Sequence, residues 1–268
     1  MKETDLQDKY LINFLCERPD GLHYNEVKPN TVSGQFFIVE DLKEFLSNTS
    51  ENKDNYRKLL RKFKDEQALL GKIMDFLNER IKASMNMAIF INNNKTVTFE
   101  GETLYLFYPS GSEIHEDKLF DQNIFSVVQE LPYTFNHEEQ QLFSFRPDIT
   151  FFLNGIYLGY SELKSNYNNQ NARKNGRNKV KNDYLKAVKE YLIIAKDNDL
   201  NKNIRKEFLK IFEKAVHITS TDVNETYIIR NISLLFDDIK EAEASGNFDF
   251  ETYEKKLIQE FKPYPLIN

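Results

Sequence analysis

The chain has 268 residues, 40% of them hydrophobic and 29% charged, with a formal net charge of −6. That length gives one large domain or two small ones with a substantial core. The acidic balance argues against a protein that coats nucleic acid, though not against a local basic patch. No run approaches the ~18 apolar residues of a membrane span, and MKETDLQDKY is too polar for a secretory signal. The single cysteine, Cys16, excludes an intrachain disulfide and a Cys-rich zinc site. A soluble, cytoplasmic protein with Cys16 in its core is expected.

In chain order, Thr4 and Gln7 have capping-box spacing, and Leu6, Tyr10, Leu11, Phe14 and Leu15 follow on one face. A first helix over 5–17 is expected. Residues 19–33 read as a loop, and GQFFIVEDL as a short strand or the entry to a helix. Helical spacing then runs through 53–83, over one or two helices. NMAIFI, KTVTFE, TLYLFYP and NIFSVVQEL read as strands, being short β-branched and aromatic runs divided by Asn and Gly. After RPDITFFLNGIYLGYSELKS comes an Asn-rich loop, then helices over 178–196 and 204–214. AVHITS and ETYIIRNI read as strands, and the tail from Leu234 as helical with a break near Gly246. This order predicts an α/β fold, a mixed sheet flanked by helices.

The run from Arg146 to Ser165 poses the functional question. Asn154-Gly155 between two apolar runs is a hairpin signal. A two-residue type I′ turn pairs Leu153 with Ile156, sets Asp148 against Ser161 and sends Glu162 to the other face. A type I turn with Gly155 as a bulge adds one residue and sets Asp148 against Glu162, with Lys164 on the same face roughly 7 Å further along the strand. Two facing carboxylates call for a cation, and hard oxygen donors suit Mg²⁺, which keeps waters and leaves room for a phosphate. An adjacent Lys orients a water or neutralises charge on phosphate. The second register therefore predicts metal-dependent phosphodiester cleavage; the first leaves solvated strand ends.

From Lys164 to Lys189 there are eight basic residues (Lys164, Arg173, Lys174, Arg177, Lys179, Lys181, Lys186, Lys189) against one acidic, Asp183. Such a patch can hold a phosphate backbone without reading bases. The stretch 166–181 has little apolar surface, and a flexible loop is expected there.

RPDITFFLNGIYLGYSELK resembles the signature of the PD-(D/E)xK nucleases, and most of all the N-terminal nuclease domain of the R (restriction) subunit of type I restriction enzymes. ETDLQDKYLINFL is similar to the first helix of that domain, NIFSVVQEL to the strand before its Asp, and NDYLKAVKEYL to the helix after ELK. The resemblance covers most of residues 1–195 and implies a restriction-endonuclease-like fold. It also implies Asp148 and Glu162 as Mg²⁺ ligands, Lys164 as the catalytic lysine, and Glu3 as a further ligand. The alternative for Glu3 is a charge favoured by the helix dipole. The family often carries Gln-x-x-x-Tyr in the following helix; Tyr191 matches the Tyr, but Ala187 stands at the Gln position. Lys186 and Lys189 offer DNA contacts there instead.

Implied partners are double-stranded DNA and the modification (methyltransferase) and specificity subunits. R subunits join this nuclease to an ATP-driven translocase, but no G-x-x-x-x-G-K-[ST] occurs here, and Gly71-Lys72 lacks the upstream Gly. The expectation is a nuclease domain over 1–196 and an extension over 197–268 leading towards a motor, with ATP belonging only to that motor. His23, His115, His137 and His217 show no metal spacing. Two alternatives remain: another PD-(D/E)xK repair or recombination nuclease, and a degenerate nuclease fold that only couples DNA or subunits.

Overall fold

β-branched and aromatic runs alternating with helices build a seven-stranded mixed sheet in the computed structural model, which describes residues 5–17, 19–84, 87–111, 114–137, 140–165, 167, 169–195, 210–229, 249–260 and 262–263. The first helix, α1 (Leu6–Glu17), is wound as a π-helix and leads to a two-residue edge strand β1 (Asn25–Glu26). Helices α2 (Val39–Asn48), α3 (Lys53–Phe63), α4 (Glu66–Ala83) and α5 (Met87–Asn93) follow, then a separate hairpin of β2 (Thr96–Phe99) and β3 (Glu102–Tyr105). After α6 (Ile114–Phe120) come β4 (Phe125–Gln129), a second separate hairpin of β5 (Tyr133–His137) and β6 (Gln140–Phe145), and the central strands β7 (Ile149–Leu153) and β8 (Ile156–Leu163). The long helix α7 (Arg177–Ala195), a short helix Lys210–Glu213, β9 (His217–Thr221), β10 (Thr226–Ile229), a final helix Phe250–Glu260 and β11 (Lys262–Pro263) complete the order.

Spatially the sheet runs β1-β4-β7-β8-β9-β10-β11, with β1–β4 and β8–β9 parallel and the other neighbours antiparallel. Its period-2 alternation separates two cores. Ile149, Leu163 and Val127 pack against Ile12 and Leu15 of α1 on one face. Val128, Phe152 and Tyr160 pack against Val180, Tyr184, Ala187 and Val188 of α7 on the other. A third core joins α2 to α5 with the β2–β3 hairpin and reaches the sheet through Phe37 and Ile156. Among the described residues no helix is long and apolar enough to cross a membrane.

Several expectations change. MAIFI, from Met87, lies in α5 rather than a strand: Met87 and Phe90, three apart, are both buried, and the Asn94 side chain donates to the Phe90 carbonyl at 2.8 Å, closing the helix end. The β5–β6 hairpin was not expected. The sheet continues past residue 196, since β9 runs alongside β8 and the Lys164 N–H donates to the Thr221 carbonyl at 2.8 Å. Thr4 lies outside the described residues, as do 204–209 of the expected helix 204–214 and most of the helical tail from Leu234.

Candidate functional site

The hairpin turn is a buried hub. Asn154 (φ 52°) and Gly155 (φ 76°) both take left-handed backbone, as a two-residue type I′ turn requires, and Leu153 pairs with Ile156. A Cβ on Gly155 would lie 2.3 Å from the Ile38 carbonyl oxygen, so only glycine lets the start of α2 close over the turn. The Asn154 side chain donates to the Leu106 carbonyl at 2.8 Å and accepts from the Ile124 N–H at 2.7 Å. Such satisfaction is what permits a polar side chain there to be fully buried.

The turn is thus of the kind expected to send Glu162 to the wrong face, yet the carboxylates meet. The extra residue enters further along β8: Phe152 pairs with Tyr157 but Phe151 pairs with Gly159, leaving Leu158 as a bulge. From there Ile149 pairs with Ser161, and one step on Asp148 stands level with Glu162. The bulge needs Gly159, whose φ is 154°. A Cβ there would lie 1.9 Å from the His217 carbonyl oxygen of β9. The bulge belongs at Gly159, not at Gly155 as the sequence suggested; the facing pair is the same.

Charge is concentrated at this strand end. Glu162 is 1% exposed, with Oε1 accepting from Lys164 Nζ at 2.6 Å and Oε2 from Lys179 Nζ at 2.5 Å. Lys164 Nζ also donates to the Leu163 carbonyl at 2.5 Å. Asp148 Oδ2 accepts the Leu163 N–H at 2.6 Å. Burial, and then the Glu162 charge, push the Asp148 carboxyl up to about 6, against the opposing pull of the Leu163 N–H, Lys179 and Lys164.

Helix α7 supplies the other wall. Lys179, Asp183 and Ala187 lie four apart, hence on one stripe. The outer part of the stripe lines a cleft with Lys164, Asn178 and Asn182; the inner part, Ala187, is fully buried in the core. Asp183 Oδ2 is buried with no hydrogen-bond partner among the described residues, and burial raises its carboxyl against the pull of Lys179, Lys186 and Lys164. The wound turn Ala172–Gly176 aims the helix. It is fastened to the β9 end of the sheet: the Ala172 N–H donates to Asp222 Oδ2 at 2.7 Å and Ser220 Oγ donates to the Ala172 carbonyl at 2.9 Å.

The structure thus brings together Asp148, Glu162 and Lys164, and adds Lys179, expected to touch DNA, and Asp183, which was passed over. Their i,i+4 spacing was the available signal. Glu3 lies outside the described residues, so its position as a ligand is not seen, and of Tyr191 only the helical backbone is described. Gln7, one turn on in α1, reaches the Asp148 carbonyl at 3.5 Å and Gln129 Oε1 at 2.6 Å. The basic stretch from 171 is folded rather than loose. Arg177 stacks 4.8 Å from the Tyr227 ring centroid and donates to the Ile258 carbonyl at 3.0 Å, and Lys181 pairs with Glu254. Arg173, Lys174, Lys186 and Lys189 are exposed.

Among the described residues no group of three or more His, Cys, Asp or Glu side chains gathers to hold a metal ion. Two carboxylates at one strand end are a sparse, all-oxygen donor set. That fits Mg²⁺, which binds through one or two carboxylates and retains waters. The family model for the type I restriction enzyme R protein N terminus matches residues 20–201. No curated protein matches the chain.

Proposed function

Since the chain belongs to the family of the type I restriction enzyme R protein N terminus, we propose that the strand-end cluster is a Mg²⁺-dependent endonuclease site that hydrolyses DNA phosphodiester bonds. The observation that carries this reading is the bulged register that sets Asp148 level with Glu162 and Lys164 on the Glu162 carboxylate. Asp148 and Glu162 would hold the cation. When bound, Mg²⁺ lowers the pKa of a water and stabilises charge on the scissile phosphate. Lys164, fixed between Glu162 and the Leu163 carbonyl, orients that water and offsets charge on the phosphate oxygens. The buried floor of Tyr160 and Phe152 beneath the cluster keeps bulk water off that side and strengthens each interaction.

Metal binding gives the direct test. Wild type should bind Mn²⁺, and Asp148→Ala should bind it at least about tenfold more weakly in calorimetry, a loss of about 1.4 kcal/mol. Equal affinities would remove the site.

Double-stranded DNA is the substrate in this reading. Arg173 and Lys174 line a second cleft that shares Asn178 with the first, and Lys189 lies further along α7; all three are exposed and supply sequence-independent phosphate contacts. The triple variant Arg173→Ala, Lys174→Ala, Lys189→Ala should weaken every duplex alike. It should also flatten the plot of log affinity against log salt by roughly 0.9 for each phosphate no longer neutralised. A slope equal to wild type would place the DNA elsewhere. The reading extends to methyltransferase and specificity subunits as partners, with ATP used only by a translocase segment outside these residues.

A further inference from the structure

Glu162 has one oxygen on each of two ammonium groups, and the two lysines differ. Lys164 directly follows the strand that carries Glu162, is 8% exposed and is also tied to the Leu163 carbonyl. Lys179 comes from α7, is 41% exposed and faces the cleft. Charge decides which can leave. Asp148, Glu162 and Asp183 against Lys164 and Lys179 leave the cluster one negative charge from neutral, and near-neutrality is what a largely buried site tolerates. A divalent cation added to it leaves one uncompensated positive charge, which the departure of one ammonium removes. Of the two Glu162 oxygens, Oε2 is the one held by the more exposed lysine, Lys179.

We propose that Lys179 is a displaceable counter-ion for Glu162: a divalent cation takes its place on Oε2, and the released ammonium turns into the cleft to hold a DNA phosphate. This role rests on the nuclease reading of the site and adds a residue to it. It couples the two ligands, because the cation frees the group that the polyanion uses. The flexible four-carbon stem of lysine suits such a swing, whereas Lys164 has no second place to go without abandoning the Leu163 carbonyl.

The test measures Mn²⁺ affinity, in the absence of DNA, for wild type, Lys179→Met, Lys179→Arg and Asp148→Ala. Lys179→Met should bind about tenfold more tightly than wild type, since no ammonium need be expelled. Lys179→Arg should stay within about threefold of wild type, which shows that charge rather than packing sets the effect. If Asp148→Ala binds like wild type, the nuclease reading itself fails. If Asp148→Ala weakens binding but Lys179→Met binds no more tightly than wild type, the displacement role is overturned while the site stands. A second measurement needs no variant: acylation of each lysine in the wild-type chain, followed by mass spectrometry with and without Mg²⁺. Lys179 should become several-fold more reactive at saturating Mg²⁺ while exposed Lys189 stays unchanged. Unchanged reactivity of Lys179 would also overturn the role.

Discussion

Gly159→Ala should cost about 3 kcal/mol or more and lower the unfolding midpoint by roughly 10 °C. The added Cβ would meet the His217 carbonyl oxygen at 1.9 Å, and that oxygen is part of the β9 backbone, not the movable tip of a side chain. The chain has two ways to relieve the clash. β9 can move off β8, or the bulge can flatten. Flattening slips the register by one residue, and a one-residue slip turns every side chain beyond it to the other face. Glu162 would then leave Asp148. The variant should therefore lose Mn²⁺ binding even at a temperature where circular dichroism shows it folded. A midpoint and metal affinity equal to wild type would show that the bulge does not set the site.

Asp148→Asn should have the opposite sign. Burial and the Glu162 charge raise this carboxyl from 3.8 to about 6, so the folded chain holds the proton more tightly than the unfolded one. Stability at Asp148 is then greatest below about pH 4, falls as pH rises towards 6, and stays at the reduced level above. The interval of about two pH units corresponds to at most about 3 kcal/mol, and about 2 kcal/mol is a fair figure for a carboxyl that is not wholly enclosed. Asn keeps an oxygen for the Leu163 N–H and carries no charge. At pH 7.5 the variant should melt roughly 4–8 °C above wild type; at pH 4 the two should coincide. Mg²⁺ should raise the midpoint of wild type and leave that of the variant unchanged. A variant less stable than wild type at pH 7.5 would contradict the burial that the structure gives Asp148. A fold that keeps such a carboxylate at its own cost is one in which stability has been given up for a site.

How much of this was legible depends on where the cause lay. The Asn154-Gly155 turn could be read because two successive left-handed residues have few sequence solutions. The face-to-face Asp148 and Glu162 could be read as one of two registers. The bulge that selects between them could not be located, because its cause is the approach of the β9 backbone to Gly159, nearly sixty residues away in sequence. NMAIFI was misread because a six-residue apolar run has too little period to separate a strand from a helix. The β5–β6 hairpin went unseen because Glu138-Glu139, between its strands, lacks the glycine that marks most tight turns. Lys179 was legible as a cation and not as a partner of Glu162. That role needs the turn at Ala172–Gly176, which Ser220 of the neighbouring strand β9 and Asp222 just beyond it fasten. Ala187, where the resemblance leads one to look for Gln, is explained only by the structure: its position on α7 has passed from the cleft into the apolar core.

The parallel pairing of β8 with β9 has a consequence during synthesis. Glu162 lies opposite Ser220, about 58 residues later, and at 5–20 residues per second the ribosome needs roughly 3–12 s to cover that distance. For that interval the strand bearing the proposed ligand has its hairpin partner on one side and unpaired N–H and C=O groups on the other, an open template for another nascent chain. The acid–lysine cluster also lacks the Asp222 and Ser220 fastening of the turn that leads into α7. The proposed nuclease centre is therefore assembled late on the polysome, and a stall or premature stop between 165 and 217 should yield a chain prone to aggregation rather than one with a complete site.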